Sequence, residues 1–347
     1  MTRSRDVADT QDNSGGAVAP VVSGKNFAIN GGFDFAQRGA SFSVTTSAFY
    51  TLDRWYASGS GGSTVSVVSQ QTTGPSIGTS AQVRVAYSTN TTFCNLFSPL
   101  EYANLQAMQG RVCTLSFKGR RSAGFLNGLV AGIQTGTVAN TLTGGTWTEI
   151  ANCVITNANL PTGTTSSDWG SASVSFLVPA GTQGLRIRLG EEVFQPNGAY
   201  WEAGAVQLEI GAVATPFARA GGSIGGELAL CQRYYYRTTA TQLYSDFASG
   251  YNASASEGSY IVPFPVQMRT TPTALEQTGV ASNYNILHSS GGSAARAVCS
   301  SVPTYQVASQ NAARVYFIVP GTVTAGQGSV GGSSNNTVAF LGWSAEL

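Results

Sequence analysis

The chain has 347 residues, which is enough for two domains that each bury a hydrophobic core. Only 10% of the residues are charged and the net charge is +1. Because the 18 cations are spread along the chain, they form no patch that could neutralise phosphates, and nucleic acid is excluded as a partner. No apolar run approaches the ~18 residues of a membrane-spanning helix, so membrane insertion is excluded too.

The five cysteines are widely spaced and form neither a CxxC motif nor a Cys/His cluster; they are Cys94, Cys113, Cys153, Cys231 and Cys299. This pattern predicts buried free thiols, and it predicts no bound metal and no cofactor. The first residues are polar and charged, without the apolar region of a signal peptide. We therefore expect a chain that is made in a reducing cytoplasm and released by a route such as lysis.

Residues 1–24 begin with the charged side chains Arg3, Arg5, Asp6 and Asp9 and continue with a Gly/Ala/Pro-rich run. The segment has too few large apolar side chains to form a core of its own. It is expected to be disordered in isolation and to become ordered on a partner or on a neighbouring copy of the chain. We interpret it as an extended anchoring arm.

Residues 25–222 alternate between apolar and polar side chains, as in residues 185–189, where three aliphatic side chains and two arginines point to opposite sides. A period of two is typical of half-buried strands and is incompatible with a helix. Turn-forming clusters separate the segments, for example Pro179-Ala180-Gly181. Many short antiparallel strands of this kind predict a β-sandwich, and we expect a jelly roll.

Residues 223–236 contain glycines followed by helix formers and predict a short helical hinge, the one helix that we expect. Residues 237–347 again contain strand-like segments and predict a second, smaller β-sandwich domain. There, Pro263 and Pro265 predict an edge or bulged strand, because proline cannot donate to a sheet. The predicted fold class is therefore all-β, with an N-terminal arm and two sandwich domains.

Two segments near the start carry a recognisable pattern, Asn30-Gly31-Gly32-Phe33 with Gln37-Arg38-Gly39, and Tyr50-Thr51-Leu52-Asp53-Arg54-Trp55. Two later segments, residues 201–217 and residues 227–235, follow in the same order. Together they resemble bacteriophage tail-fibre and tail-associated proteins, and residues 3–10 are similar to cyanophage members of that group. The resemblance covers residues 25–236 well and the remainder of the chain loosely.

This resemblance implies a structural subunit of a virion appendage that is made in the host cytoplasm. It implies a homotrimer, contacts with other virion proteins through residues 1–24, and a first domain similar to carbohydrate-binding jelly rolls. Host attachment through a surface glycan or another receptor would follow. A capsid or head decoration protein without receptor binding is an alternative within the same class.

Candidate ligand-binding residues come from two patterns. Sugar sites combine an aromatic plate with planar polar side chains, which points to Trp147 and to Trp169 with Asp168. Gln37, Arg38 and Asp53 could grip hydroxyl groups, or they could form a structural network that pins the N-terminal strand. For Trp201, core packing is the preferred interpretation. For the tyrosines at 234–236, the preferred interpretation is packing in a strand and in a subunit interface.

Catalysis has little support in the sequence. His288, the single histidine, lies in a Ser/Gly-rich segment that predicts a solvated loop, and no nucleophile elbow is present. Glu191 and Glu192 are adjacent, so on a strand they would face opposite ways. We therefore expect a protein that is not an enzyme. A polysaccharide depolymerase that uses Asp168 or Glu192 is the alternative from another functional class.

Overall fold

The computed structural model describes residues 25–347, apart from residues 46, 60–65, 73, 75–78, 80, 89–92, 143, 164–166 and 192. The predicted anchoring residues Arg3, Arg5, Asp6 and Asp9 lie outside the described residues. The chain divides between Leu228 and Ala229 into two compact units. This division falls within the segment that the sequence suggested as a hinge.

The N-terminal unit is a β-sandwich of two six-stranded antiparallel sheets. The first sheet has the order β1-β4-β5-β12-β7-β10, with strands β1 (Ser41–Val44), β4 (Ser66–Gln71), β5 (Gln82–Tyr87), β7 (Val112–Arg121), β10 (Gly170–Leu177) and β12 (Tyr200–Ile210). The second sheet has the order β2-β3-β6-β11-β8-β9, with strands β2 (Phe49–Tyr50), β3 (Tyr56–Gly59), β6 (Cys94–Pro99), β8 (Leu129–Gly136), β9 (Trp147–Ile155) and β11 (Gly184–Gly190).

The core of this sandwich is built by the alternation that the sequence displays. Leu185, Ile187 and Leu189 of β11 point inward and are fully buried, together with Trp55 and Trp201. The prediction that Trp201 packs in the core is confirmed. The residues between them in each strand face outward, so each sheet also presents a polar outer face.

Two α-helices and one 3₁₀ helix (Ala281–Asn283) occur in the described residues. Helix α1 (Tyr102–Gln106) follows β6, and helix α2 (Ile224–Gln232) lies in the predicted hinge segment. The expectation of a single helix was therefore wrong. Helix α1 is one short turn in which Leu105 is the buried residue, so it lacks the repeated apolar spacing by which longer helices are recognised.

The C-terminal unit contains a seven-stranded sheet of order β17-β16-β20-β14-β15-β19-β18 and a two-stranded sheet of β13 and β21. Its strands are β13 (Tyr235–Thr239), β14 (Asp246–Asn252), β15 (Glu257–Pro263), β16 (Tyr284–Ser290), β17 (Ser293–Val298), β18 (Ser301–Ala308), β19 (Ala312–Ile318), β20 (Gly328–Ser333) and β21 (Phe340–Ser344). The predicted all-β class is confirmed for both units.

Both sheets of the C-terminal unit contribute to one aromatic core. Trp343 of β21 stacks on Tyr236, with ring centroids 6.1 Å apart, and meets Phe264 at 5.4 Å. Tyr234 and Tyr235 are buried, and Tyr235 and Tyr236 belong to β13, so the strand placement of this tyrosine run is confirmed, while its role in a subunit interface stays a prediction. The edge-strand prediction for Pro263 was wrong, because β15 lies between β14 and β19. At Pro263 itself only β19 pairs, so its missing N–H leaves no gap in the ladder with β14.

His288 also lies elsewhere than predicted. It is a residue of β16, is only 7% exposed, and its Nδ1 lies 3.1 Å from the carbonyl oxygen of Ser289. The Ser/Gly-rich composition belongs to the turn of the β16–β17 hairpin, where Gly291 and Gly292 both have positive φ. The solvated-loop prediction was therefore wrong.

The cysteines follow the prediction, because all five are buried and none of them forms a disulfide. None of the helices in the described part of the chain combines the length and the apolar character needed to cross a membrane.

The carboxyl group of Glu191 is enclosed in the interior of the N-terminal unit. Glu191 is 1% exposed and accepts a hydrogen bond from the hydroxyl of Tyr87, which in turn accepts one from Trp201 Nε1 at 3.0 Å. Burial raises the pKa of Glu191 to about 8 from the ordinary 4.5, and the hydrogen bond from Tyr87 offsets part of this effect. At neutral pH this carboxyl group is therefore mainly protonated.

The raised pKa of Glu191 predicts that the folded N-terminal unit loses stability as the pH rises from about 4.5 to about 8. In this window the unfolded chain releases the proton of Glu191 while the folded chain still holds it, so rising pH favours unfolding. Glu191→Gln has no proton to release and should flatten the slope. Thermal melting at pH 4.5 to 9 measures this dependence of stability on pH. Glu257→Gln in the C-terminal unit is the control and should keep the slope of the unmodified chain. An unchanged slope in Glu191→Gln would contradict the prediction.

Candidate functional site

The outer face of the first sheet carries a ladder of hydroxyl groups and one ammonium group. On β7 and β10, Lys118 lies opposite Ser171, and Ser116 lies opposite Ser173. The two β10 serines are exposed, while Ser116 and Lys118 are half-buried. Because side chains two residues apart share a face, these four residues form one continuous polar surface.

A bulge in β12 opens space beside this ladder. Gly204 lies opposite Lys118, and the register with β7 shifts between Gly204 and Gln207. Within the bulge, Ala205 has a φ of 52°, which is unfavourable for a residue with a Cβ. The backbone N–H of Val206 donates to the carbonyl oxygen of Gly31 at 2.8 Å instead of to β7. Only small residues therefore border Lys118 on this side.

The segment that follows β12 forms a wall over the bulge. Both the backbone N–H and the hydroxyl of Thr215 donate to the carboxylate of Glu209, at 2.9 and 2.6 Å. Phe217 is half-buried two residues further along. Ladder and wall enclose a groove of about 500 Å³, lined among others by Ser116, Lys118, Ser171, Ser173, Thr215 and Phe217. Its volume lies in the range of small-ligand sites.

The predicted residue Trp169 extends this face. The guanidinium of Arg120 lies 4.6 Å from the Trp169 ring and forms an ion pair with Glu202. Arg84 binds the same carboxylate at 2.7 Å and stacks on Tyr200 at 4.3 Å. Glu202 is fully buried, so the two arginines supply the compensation that a buried carboxylate requires.

Trp169 is half-buried, and its indole N–H has no hydrogen-bond partner in the described part of the chain. Asp168 is half-buried next to it. Trp169 therefore belongs to the face that carries the groove, two residues before Ser171, although it does not line the groove itself.

The outer face of the second sheet carries a different arrangement, a row of stacked aromatic and arginine side chains. The row runs through Arg38, Tyr50, Tyr56, Phe97, Arg186 and Trp147, with successive separations between 4.2 and 5.8 Å. It joins Arg38 and Trp147, which the sequence analysis proposed separately.

Arg186 is the centre of that row. Its Nε donates to Gln134 Oε1 at 2.8 Å, and its Nη1 donates to the hydroxyl of Tyr56 and to the carbonyl oxygen of Leu142. Burial raises the pKa of Tyr56 to about 12. A Cβ at Gly136 would lie about 3 Å from three atoms of the Trp147 ring, so this indole packs on the strand backbone. With Arg186 stacked on it as well, Trp147 offers little open ring face.

Gln37 and Asp53 form part of a structural network. Asp53 is fully buried, and its carboxylate accepts hydrogen bonds from the backbone N–H and the side-chain Nε2 of Gln37, at 3.0 and 2.7 Å. Asn30, also fully buried, donates to the carbonyl oxygens of Phe35 and Asp53, both at 2.9 Å. Of the two interpretations of this motif, the geometry favours the network that pins the N-terminal strand.

The network reaches the segment after β12. The backbone N–H of Asn30 donates to Glu227 Oε1, and Glu227 Oε2 accepts from Gly221 N–H at 2.7 Å. Arg219 forms an ion pair with Asp34 at 2.9 Å. The motif around Asn30 and the segment that contains Glu227 therefore bind each other. These contacts account for both motifs without a ligand.

Of the two acids considered for catalysis at residues 191 and 192, Glu191 is enclosed in the core, and Glu192 lies outside the described residues. The groove residues Ser116, Lys118, Ser173 and Phe217 were not predicted as a site. The available signal was the outward register of Lys118 in an alternating strand, but the partner strand of β7 could not be read from the sequence. Across the described residues, no cluster of three or more His, Cys, Asp or Glu side chains could hold a metal ion.

The chain matches no family model and no curated protein. Among solved structures it is similar to the enzymatically active domain of bacteriophage CBA120 tailspike protein 4, at 15% identity and a TM-score of 0.33, over 54% of this chain and 21% of that chain. TmCBM61, solved with beta-1,4-galactotriose, is 14% identical at a TM-score of 0.33, with coverages of 54% and 99%. The CBM22-2 xylan-binding domain of Paenibacillus barcinonensis Xyn10C is 14% identical at a TM-score of 0.31, over 46% of this chain and 94% of that chain.

The match spans about a fifth of the tailspike chain and nearly all of the other two. Because these TM-scores are low, the fold of this chain is assigned from its own strand order.

The close contact between Gly31 and β12 predicts that a methyl group added at residue 31 strongly lowers the stability of the N-terminal unit. A Cβ at residue 31 would lie 2.1 Å from the carbonyl oxygen of Val206, so Gly31→Ala must displace the bulge. We expect a loss of roughly 1–3 kcal/mol in the free energy of unfolding, the usual cost of overpacking. Urea unfolding measures it. The control is Gly124→Ala, where a Cβ meets nothing within 4 Å and the effect should stay within roughly 0.5 kcal/mol. Equal stability of the two variants would contradict the prediction.

Proposed function

We propose that the protein binds glycans in the groove of its N-terminal β-sandwich and serves as a structural subunit of a phage virion appendage. The observation that carries the first part is the groove itself. It has an open ladder of hydroxyl groups, a single ammonium group and a half-buried aromatic wall residue, Phe217. Hydroxyl groups can exchange hydrogen bonds with sugar hydroxyls, and an aromatic face can cover the C–H groups of a sugar ring.

The proposed role is binding and not cleavage. Glycoside hydrolysis ordinarily requires two carboxyl groups that flank the bond, and the described residues that line the groove include no Asp or Glu. The depolymerase alternative has its best remaining acid in Asp168, which is half-buried beside Trp169.

The virion role is supported by the sequence resemblance to tail-fibre and tail-associated proteins. The motif residues of that resemblance, such as Asn30 and Asp53, are buried in the network that closes the sandwich, so they report on the architecture of the first domain. The homotrimer, the contacts of residues 1–24 with other virion proteins and the attachment to a host receptor are parts of the same proposal. A head decoration role remains the alternative location.

Glycan binding is tested by blocking the groove. Ser173→Trp places an indole on the groove floor and should abolish binding to an array of bacterial capsular and O-antigen oligosaccharides. The matched control is Leu177→Trp, which lies on the same face of β10, about 13 Å away and outside the groove lining. Loss of binding in Ser173→Trp alone supports the proposal. Absence of binding by the unmodified chain, or equal binding by both variants, contradicts it.

The virion role is tested by deleting residues 1–24. The truncated chain should keep the melting temperature of the full chain, because the core of the N-terminal unit is built from later residues. It should no longer be incorporated into particles, as measured by immunoblotting of purified virions. Incorporation at the level of the full chain would contradict the anchoring role, and labelling by electron microscopy would distinguish a tail from a head location.

A further inference from the structure

The groove has a distinct electrostatic character, although the chain as a whole is nearly uncharged. Lys118 is the single charged side chain among the described residues that line it. Lys118 forms no salt bridge and no hydrogen bond through its side chain within the described part of the chain. It lies in the groove floor, half-buried and level with the exposed Ser171.

The other cations of this face are already paired. Arg84 and Arg120 both bind the buried carboxylate of Glu202. Their charge is therefore largely compensated inside the protein, whereas the charge of Lys118 is compensated by solvent alone. A partly enclosed ammonium group that lacks a protein partner favours an anion within its reach.

Lys25, the only other lysine of the chain, meets the wall of the same groove. Its ammonium group donates to the hydroxyl of Thr215 and to the carbonyl oxygen of Pro216, at 2.9 Å for the latter, and both residues line the groove. Both lysine side chains of the protein are therefore associated with one cavity.

The carboxylate nearest to this wall does not cancel that charge within the groove. Glu209 is 3% exposed, and its oxygens accept hydrogen bonds from Thr215 and from Gln207 Nε2, the latter at 2.7 Å. It is engaged behind the wall and absent from the groove lining. A ligand in the groove therefore meets hydroxyl and ammonium groups, and no negatively charged side chain of the described residues.

Resting on the proposed function, we infer that the glycan bound in this groove is acidic, with the carboxylate of a uronic-acid-type sugar placed on Lys118. The hydroxyl groups of Ser116, Ser171 and Ser173 then bind the ring hydroxyls on either side of that carboxylate. A lysine ammonium is a compact point charge with three donors, which suits a single carboxylate among hydroxyl groups.

The test uses matched pairs of polysaccharides. Hyaluronan, heparosan, alginate and polygalacturonate are each presented in native form and in carboxyl-reduced form, which keeps the linkages and removes the charge. The full chain should bind at least one native polymer at least tenfold more tightly than its reduced form, by biolayer interferometry. Equal affinity for native and reduced forms overturns the acidic ligand and leaves glycan binding intact. Binding to none of the eight polymers counts against both.

Three variants assign the effect to the groove. Lys118→Met keeps the length of the side chain without its charge and should lower the affinity for the native polymer at least tenfold, with little change for the reduced form. Lys118→Arg should recover most of this loss. Arg314→Met removes an exposed cation from the C-terminal unit and should leave both affinities unchanged. The melting temperature of each variant verifies folding. Equal losses in Lys118→Met and Arg314→Met would mean that net charge, and not the groove, attracts the polymer, and would overturn the inference.

Discussion

The backbone N–H and carbonyl groups of Val206 link the most conspicuous sequence motif to the candidate site. In a regular strand these groups would pair with a neighbouring strand, but here the N–H donates to the carbonyl oxygen of Gly31 and the carbonyl oxygen accepts from Asn26 Nδ2 at 3.1 Å. This exchange produces the bulge in β12 and ties the N-terminal strand to the sandwich. It is also the reason that the surface beside Lys118 is open.

The ionisable side chains of the N-terminal unit differ in whether another protein group compensates their charge. Glu202 is held by two guanidinium groups, and Asp53 is held by Gln37, so these buried carboxylates are paired or hydrogen-bonded as buried charges must be. Glu191 accepts hydrogen bonds from the hydroxyl of Tyr87 and the backbone N–H of Cys94, but its burial outweighs them and raises the pKa of its carboxyl group to about 8. Lys118 keeps its charge at the surface, where a ligand can reach it.

Much of the architecture was predictable because the alternation of β11 and β12 is local information. The period of two identifies strands, and it correctly placed Leu185, Ile187 and Trp201 in the core. The solvated-loop prediction for His288 also failed for a local reason, since the tight turn of a hairpin has the same Ser/Gly-rich composition as a loop.

The groove could not be predicted in the same way, because it depends on which strands are neighbours. The serines of β10 meet Lys118 only because β7 lies between β12 and β10, an order that long-range pairing determines. The positive φ of the bulge falls on Ala205 and not on the neighbouring Gly204, so the residue types there do not indicate which residue adopts it. Trp147 and Trp169 were predicted as aromatic plates of a sugar site, but the arginines that stack on them come from strands distant in sequence.

The scarcity of lysine has a practical consequence for handling this protein. The chain has two lysine side chains; one lies in the groove floor and the other binds the groove wall, so every acylation of a lysine side chain falls at the candidate site. Immobilisation through lysine side chains would therefore block the groove. The same chemistry, followed by mass spectrometry, offers a footprint in which protection of Lys118 reports occupancy directly.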